Sequence, residues 1–288
     1  MSKKSMSYMI TLLLVTSLAL FGAGCVGNDT TDSGSEEMQS IIIKGSDTVL
    51  PLAQAEAEEF MIENPESTIS IIGGGSGVGI AALIDGEVDI AMASRAMKGS
   101  EIENAQTNGV DPIQQTIAWD GISIVVNPEN PVSDLTFEQL KAIYVGDISN
   151  WNEVGGEDRE IVVLSRDSSS GTYEYFKDEV MEGNEYRADA LINPSTGAIT
   201  QTVSQNQNAI GYVGVAYLDE TVKALAVDKG SGAEEPTSEN ILSGEYPLAR
   251  PLYFYTDGEP TGLALEFIEF VSSETGEETI FEVGYFPA

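Results

Sequence analysis

Short runs of apolar residues alternate along most of the chain with segments whose apolar residues recur at helical spacing. The runs that predict buried strands, because they are short and rich in Ile and Val, are 41–43, 69–72, 88–92, 122–126 and 161–164. The segments that predict helices are 52–62, 79–84, 136–143 and 172–180. Strands and helices that alternate in this way predict an α/β fold.

Two more elements are predicted near the carboxyl end. Residues 250–255 have the composition of a strand, and residues 263–271 have the pattern of an amphipathic helix. Phe267, Phe270 and Val271 fall on the apolar stripe of this helix, so we expect them to belong to the core rather than to a binding site.

The first 24 residues have the pattern of a signal peptide. Lys3 and Lys4 precede an apolar stretch over 10–21 that is short for a membrane span. Small residues then lead to Cys25, the only cysteine of the chain, which predicts lipid attachment, with an uncleaved membrane anchor as the alternative. Residues 25–39 are polar and predict a flexible tether. We therefore expect an extracytoplasmic protein anchored to the outer face of the cell membrane.

Three predicted strands pass into helices through loops rich in Gly, Ser and Thr. These loops are 45–48, 73–79 and 166–172. After the first loop, Pro51 stands in the opening turn of the helix, where a missing N–H costs least. Each loop brings backbone N–H groups and a hydroxyl to the positive end of a helix dipole, which favours anions. One such loop is common in proteins, but three of them with arginines nearby predict an anion-binding site.

Composition argues against several classes of function. The chain has no histidine, which removes Ser-His-Asp and Cys-His nucleophile systems, and its one cysteine leaves too few ligands for a tetrahedral zinc site. The formal net charge of −34, from 13 basic and 47 acidic residues, argues against nucleic acid as a partner. We therefore expect no metal, no cofactor and no enzymatic activity.

An ordered set of motifs resembles the phosphate-binding protein of the bacterial and archaeal ABC phosphate importer, from about residue 41 to the end of the chain. The sharpest motif is Arg166 followed by Ser170-Gly171-Thr172. The others, in chain order, are Gly45-Ser46-Asp47-Thr48-Val49-Leu50-Pro51-Leu52, Gly73-Gly74-Gly75-Ser76-Gly77, Ala93-Ser94-Arg95, Trp119-Asp120-Gly121, Asn150-Trp151, Ile210-Gly211-Tyr212 and Arg250-Pro251-Leu252-Tyr253.

The resemblance implies a two-lobed periplasmic-binding-protein-like fold of type II, in which two α/β lobes are joined by a two-strand hinge and hold the ligand in the cleft. It places lobe I at residues 40–121 plus 248–288 and lobe II at residues 122–247. It also implies a monomer that binds inorganic phosphate and delivers it to the membrane permease of an ABC importer, without covalent chemistry.

By the same resemblance, both lobes supply phosphate ligands. They are Ser46, Thr48, Ser76, Ser94, Arg95, Asp120, Arg166, Ser170, Gly171 and Thr172. Asp120 is assigned as the acceptor of the proton that phosphate carries and sulfate lacks, and Asp47 stays open as the alternative. An unpaired buried acceptor costs roughly 1–3 kcal/mol, which is enough to discriminate between the two anions. Structural roles stay open as alternatives: a helix end for Arg95, a turn for Asp120 and a helix cap for Asp47.

Other functions remain as alternatives. The same fold could hold another oxyanion, such as sulfate, molybdate or a phosphonate. A phosphate-ester hydrolase would use a loop serine as nucleophile, but the chain has neither a histidine nor a Gly-x-Ser-x-Gly elbow. A surface adhesion protein would explain the tether and the acidity but not the three Gly/Ser loops.

Overall fold

A computed structural model describes residues 39–288 of the chain. The predicted signal peptide, Cys25 and the tether up to residue 38 lie outside the described residues. Within residues 39–288, none of the helices has both the length and the apolar character that a membrane span requires.

Helices and strands alternate along the described residues, which confirms the predicted α/β fold. Strands β1 to β12 are Gln39–Gly45, Ser67–Ile72, Ile90–Ala93, Pro112–Val126, Asp134–Thr136, Val162–Arg166, Leu191–Asn193, Ala209–Gly214, Lys223–Asp228, Ala233–Glu234, Ala249–Asp257 and Phe286–Pro287. Helices α1 to α9 are Leu50–Glu63, Ser76–Ile84, Gly99–Thr107, Phe137–Val145, Gly171–Glu179, Thr196–Gln205, Ser238–Ser243, Gly262–Val271 and Glu274–Val283.

The strands form one continuous, mixed sheet in the order β2-β1-β3-β11-β4-β8-β6-β7. At one end, β1 pairs in parallel with β2 and β3. At the other end, β6 pairs in parallel with β8 and β7. In between, β11 runs antiparallel to β3 and β4, and β4 runs antiparallel to β8.

The long strand β4 joins two halves of the sheet. Residues 112–121 of β4 pair with β11, and residues 122–126 pair with β8. Residues 39–121 and 249–288 are called the first half, and residues 122–248 are called the second half. The first half carries β1, β2, β3 and β11, whereas the second half carries β6, β7, β8 and β9. The chain therefore leaves the first half along β4 and returns to it along β11.

Each half has its own apolar core. In the first half, Phe60 packs edge to face on Phe267, and Phe254 stacks on the same ring. In the second half, Phe176 stacks on Tyr212 with ring centroids 4.4 Å apart. Phe267 and Val271 are buried and Phe270 packs against the same cluster, as the apolar stripe predicted.

Several elements lack the apolar pattern that would reveal them in the sequence. Helix α3 buries only Ala105, and α9 buries Gly276, Thr279 and Ile280, so small and polar residues form most of their inner faces. Helix α2 begins at Ser76 rather than at residue 79, because Gly75 at φ 97° ends the loop one turn earlier.

Candidate functional site

Three buried serines meet at one edge of the first half of the sheet. Ser46 follows β1, Ser76 opens α2, and Ser94 follows β3. Because β1 is parallel to β2 and β3, the carboxyl ends of these strands lie side by side. Ser46 Oγ donates to Ser94 Oγ at 3.0 Å, and the N–H of Ser94 donates to Ser76 Oγ at 3.0 Å. The three hydroxyls therefore form one cluster.

The loop after β6 reaches this cluster from the second half. It ends in α5, where the N-cap Ser170 accepts a hydrogen bond from the N–H of Tyr173 at 3.3 Å. Thr172 Oγ1 lies 2.8 Å from Thr48 Oγ1. The N–H of Gly77 donates to the carbonyl of Ser169 at 3.0 Å. Residues of all three predicted loops thus lie in contact, although 124 positions separate Thr48 from Thr172.

Gly171 permits the close approach of the two halves. A Cβ atom at position 171 would overlap Ser76 Oγ and Ser94 Oγ. These oxygens belong to the first half, whereas Gly171 begins α5 of the second half. A larger residue at this position would therefore hold the halves apart.

Arg166 is a buried cation that bridges the halves. Its Nη2 donates to Asp47 Oδ2 at 2.5 Å, across the contact, and its Nη1 donates to Thr196 Oγ1 at 2.9 Å in its own half. Its Nε has no hydrogen-bond partner within residues 39–288. Because an unpaired buried donor is costly, this guanidinium is suited to an additional acceptor atom.

Hydrogen bonds from distant residues fix the first loop. Asp47 Oδ1 accepts from the N–H of Gly74 at 3.0 Å. The carbonyl of Asp47 accepts from Tyr217 Oη, and the carbonyl of Thr48 accepts from Tyr285 Oη, each at 2.5 Å. Burial raises the pKa of both tyrosines, so their hydroxyls remain donors at neutral pH. The sequence reasoning did not identify these two tyrosines, which come from remote parts of the chain.

Asp120 and Arg250 form a second buried ion pair, where β4 and β11 pair with each other. Both Nε and Nη2 of Arg250 donate to Asp120 Oδ2, at 3.0 and 2.8 Å. Asp120 Oδ1 accepts from the N–H of Val215 at 3.0 Å. Burial raises the pKa of the Asp120 carboxyl, and Arg250 opposes this rise. Asp120 therefore lies beside Thr48 and Thr172 through its arginine partner, which touches both hydroxyls.

Arg250 was not among the predicted ligands, although its motif was noted. The sequence did contain an indication of its role, because Arg250 is a charged residue within a predicted apolar strand. A charge that is buried in a strand needs a partner. Asp120 gives the same signal in β4, and the register sets the two residues opposite each other.

Arg95 is held mainly by its own half. Its Nη1 and Nη2 donate to the two carboxylate oxygens of Glu101 at 2.8 and 2.7 Å. Its Nε has no partner within the described part of the chain. Close by, Lys98 Nζ lies 2.6 Å from Glu174 Oε2 of α5, which is an ion pair between the two halves. Arg95 therefore lies at the margin of the serine cluster, with both of its terminal nitrogens bound to Glu101.

The arrangement favours a small oxyanion. Backbone N–H groups at the starts of α1, α2 and α5, the hydroxyls around Ser94 and Thr172, and the buried Arg166 all supply donors. Among residues 39–288, no cluster of three or more Asp, Glu, His or Cys side chains is placed to hold a metal ion. Hydrogen bonds from fixed donors can bind an anion, so the site requires no covalent step.

Comparisons with known proteins agree with this chemistry. Residues 30–275 match the family model of the PBP superfamily domain. The chain is 32% identical to the phosphate-binding protein PstS of Bacillus subtilis, over 97% of this chain and 93% of that protein. It is 34% identical to the phosphate-binding protein PstS of Pseudomonas aeruginosa, over 84% of this chain and 81% of that protein.

Solved structures show the same fold. A Clostridium perfringens protein, described as a phosphate ABC transporter substrate-binding protein with bound phosphate, is 37% identical with a TM-score of 0.80. The match covers 86% of this chain and 99% of that one. An ABC-type phosphate transport receptor from Vibrio cholerae is 35% identical with a TM-score of 0.70. This match covers 86% of this chain and 100% of that one.

Proposed function

This chain belongs to the PstS family of phosphate-binding proteins, the substrate-binding proteins of ABC phosphate importers, and we propose that the residues joined across its two halves hold the phosphate. The observation that carries the proposal is the buried contact of the serine cluster and Thr48 with Arg166 and the start of α5. Donors from both halves then surround one tetrahedral anion.

The ligands are divided between the halves. The first half contributes Ser46, Thr48, Ser76, Ser94 and Arg95, and the second half contributes Arg166, Ser170, Gly171 and Thr172. Ser170 accepts a hydrogen bond from a backbone N–H at 3.3 Å, which leaves its hydroxyl proton free to donate to phosphate, and Ser76 accepts one at 3.0 Å and shares a 3.3 Å contact with Ser94 Oγ. The dipoles of α1, α2 and α5 add positive potential at the same place.

Arg166 is the main charged ligand. Its Nε–H has no partner within residues 39–288, and its Nη2 is shared with Asp47. A planar guanidinium can reach two phosphate oxygens at once, so phosphate satisfies the unpaired donor. Arg95 contributes in a lesser way through its own Nε, because Glu101 holds both of its terminal nitrogens.

One aspartate, Asp120 or Asp47, accepts the proton of phosphate. Both are buried at the site, and both are paired with arginine. Sulfate has no proton to donate and would meet the carboxylate with lone-pair repulsion, which gives selectivity. Asp47→Asn and Asp120→Asn are each titrated with phosphate and sulfate. The variant that loses its acceptor begins to bind sulfate, and rejection of sulfate by both variants would exclude a carboxylate as the source of selectivity.

Phosphate binding closes the two halves as lobes. Lobe I comprises residues 40–121 plus 248–288, lobe II comprises residues 122–247, and β4 and β11 form the hinge. The contacts between Arg166 and Asp47 and between Lys98 and Glu174 support a closed form. The closed form presents its outer rim to the permease.

The protein acts outside the cytoplasm as a monomer that is anchored through lipid on Cys25. The sequence pattern of residues 1–24 and the position of Cys25 support the anchor. Metabolic labelling with a radioactive fatty acid tests it: Cys25→Ala should lose the label and should be released from membranes. A labelled Cys25→Ala protein would disprove attachment at this residue.

Isothermal titration calorimetry of the purified full chain tests phosphate binding. We expect one phosphate per chain and no heat from sulfate or molybdate at the same concentration. If sulfate or molybdate gives heat and phosphate gives none, the ligand is another oxyanion and not phosphate. A phosphate-ester turnover assay on the same sample should show no hydrolysis.

A further inference from the structure

The ion pair of Asp120 and Arg250 lies where the chain passes between the two halves. Asp120 is on β4 and Arg250 is on β11, and the two residues are register partners in the sheet. Both side chains are almost fully buried, at 0% and 1% exposure. The ion pair with Asp120 uses two of the five N–H groups of the guanidinium, so the buried side chain needs further acceptors.

Arg250 makes three further contacts, and they reach both halves. Its Nη1 donates to the carbonyl of Ser94 at 2.9 Å, in the first half. Its Nη2 donates to Thr172 Oγ1 of the second half at 3.0 Å, and it lies 3.4 Å from Thr48 Oγ1 of the first. Arg250 therefore contacts the threonine pair that joins the halves.

These contacts determine the direction of the hydroxyl protons. The Nη2 group can only donate, so one of its two N–H groups occupies a lone pair on Thr172 Oγ1, with Thr48 Oγ1 as a longer contact of the same nitrogen. The two oxygens are 2.8 Å apart, so one threonine donates its proton to the other. The second threonine cannot donate back to that oxygen or to Arg250, so its proton points away from Arg250.

We propose that Arg250 is a positioning residue that turns the Thr48–Thr172 pair into a hydroxyl donor for phosphate and forms this donor only when the two halves meet. Asp120 acts through Arg250, because it holds two of the guanidinium nitrogens on the same oxygen. The inference rests on the proposed phosphate site and adds Arg250 to it.

A double-mutant cycle with phosphate titration tests the inference. Arg250→Lys keeps the positive charge beside Asp120 but loses the fork that reaches the threonines. Thr172→Val removes the hydroxyl with little change in shape. Each variant should weaken phosphate binding about 10- to 100-fold, the effect of one hydrogen bond to a charged group. The double variant should be weakened by about the same factor as either single variant.

Two further variants separate positioning from a general structural role. Thr172→Ser keeps the hydroxyl, so Arg250→Lys should regain its full effect in the Thr172→Ser background. Arg159→Lys, at an exposed arginine, should leave the phosphate Kd unchanged. Urea unfolding of each variant shows whether its affinity and its stability change together. If Arg250→Lys does not fold, Arg250→Gln enters the same cycle, since its shorter side chain cannot reach the two threonines.

The outcomes distinguish this inference from the proposed function. If the affinity loss of the double variant equals the product of the two single losses, the role of Arg250 is overturned and the phosphate site stays intact. An Arg250→Lys variant with the wild-type Kd would have the same meaning. A wild-type chain that binds no phosphate, or a Thr172→Val variant with the wild-type Kd, would overturn the site itself.

Discussion

Glu56 is a buried carboxyl group without a hydrogen-bond partner. It lies on the inner face of α1 with Leu52, Ala53 and Phe60, and its side chain is fully buried. Neither carboxyl oxygen has a partner within residues 39–288. Burial, with a smaller contribution from the charge of Glu59, raises the pKa of Glu56 from 4.5 to about 9. We therefore expect Glu56 to be protonated at neutral pH.

This pKa makes the stability of the protein depend on pH. The unfolded chain releases the proton near pH 4.5, whereas the folded chain releases it near pH 9. Between these values the folded state binds more protons, so the free energy of unfolding falls as pH rises, by about 1.4 kcal/mol per unit. The contribution is complete below pH 4.5 and is lost as pH rises towards 9. The total loss is at most about 6 kcal/mol, a large share of the stability of a typical domain.

Glu56→Gln removes the ionisation and keeps the size of the side chain. Between pH 5 and pH 8 the wild type should lose about 4 kcal/mol more than this variant. Urea unfolding followed by the fluorescence of Trp119 and Trp151 measures both curves. Glu58→Gln, at an exposed position of the same helix, is the matched control and should follow the wild type. Wild-type and Glu56→Gln stabilities that run parallel over this range would refute the reasoning, because Glu56 would then ionise without cost.

Three substitutions test the site directly. Arg166→Ala should reduce phosphate binding below detection by calorimetry, whereas Arg159→Ala should not, and equal Kd values for the two variants would contradict the assigned site. Gly171→Ala should weaken phosphate binding about 10- to 100-fold because its Cβ meets Ser76 and Ser94, while Gly99→Ala, whose Cβ meets no atom within 4 Å, should have no effect. Glu174→Gln should weaken binding by no more than about fivefold, an effect that 1 M salt should abolish, since an ion pair with half-exposed Lys98 contributes about 0.2–1 kcal/mol. A larger loss that persists in salt would show that Glu174 does more than attract Lys98.

The parts of the site that depend on local sequence were predictable. Gly, Ser and Thr between a strand and a helix identify a helix start, because their backbone and hydroxyl preferences act within a few residues. The loops that contain Ser46, Ser76 and Thr172 were identified in this way, and the structure brings these loops into contact, whereas the choice of individual ligands, Arg166 included, came from the family resemblance. Six strands, namely β1, β2, β3, the second part of β4, β6 and β11, were predictable for a similar reason, since apolar runs rich in β-branched or aromatic residues mark them, whereas the others, such as β8 and β9, were not predicted.

The parts that depend on long-range pairing were not predictable from patterns. Arg250 meets Asp120 across 130 positions, and Tyr285 meets Thr48 across 237. Such contacts are fixed by the register of β4 and β11 and by the return of the chain to the first half, and periodicity contains neither. Arg95 differs from these residues, because its partner Glu101 is only six positions away. The family motif indicated phosphate as the partner of Arg95 and gave no indication of the ion pair with Glu101.

Strand β4 is a single piece of backbone that completes two separate cores. Residues of its carboxyl-terminal part, such as Ile122 and Ile124, belong to the core of the second half, while Ile117 and Ala118 belong to the core of the first. If one half unfolded, β4 would lose its pairing partners in that half, and the sheet of the other half would lose the support of an intact β4. We therefore expect the two halves to unfold as one cooperative unit.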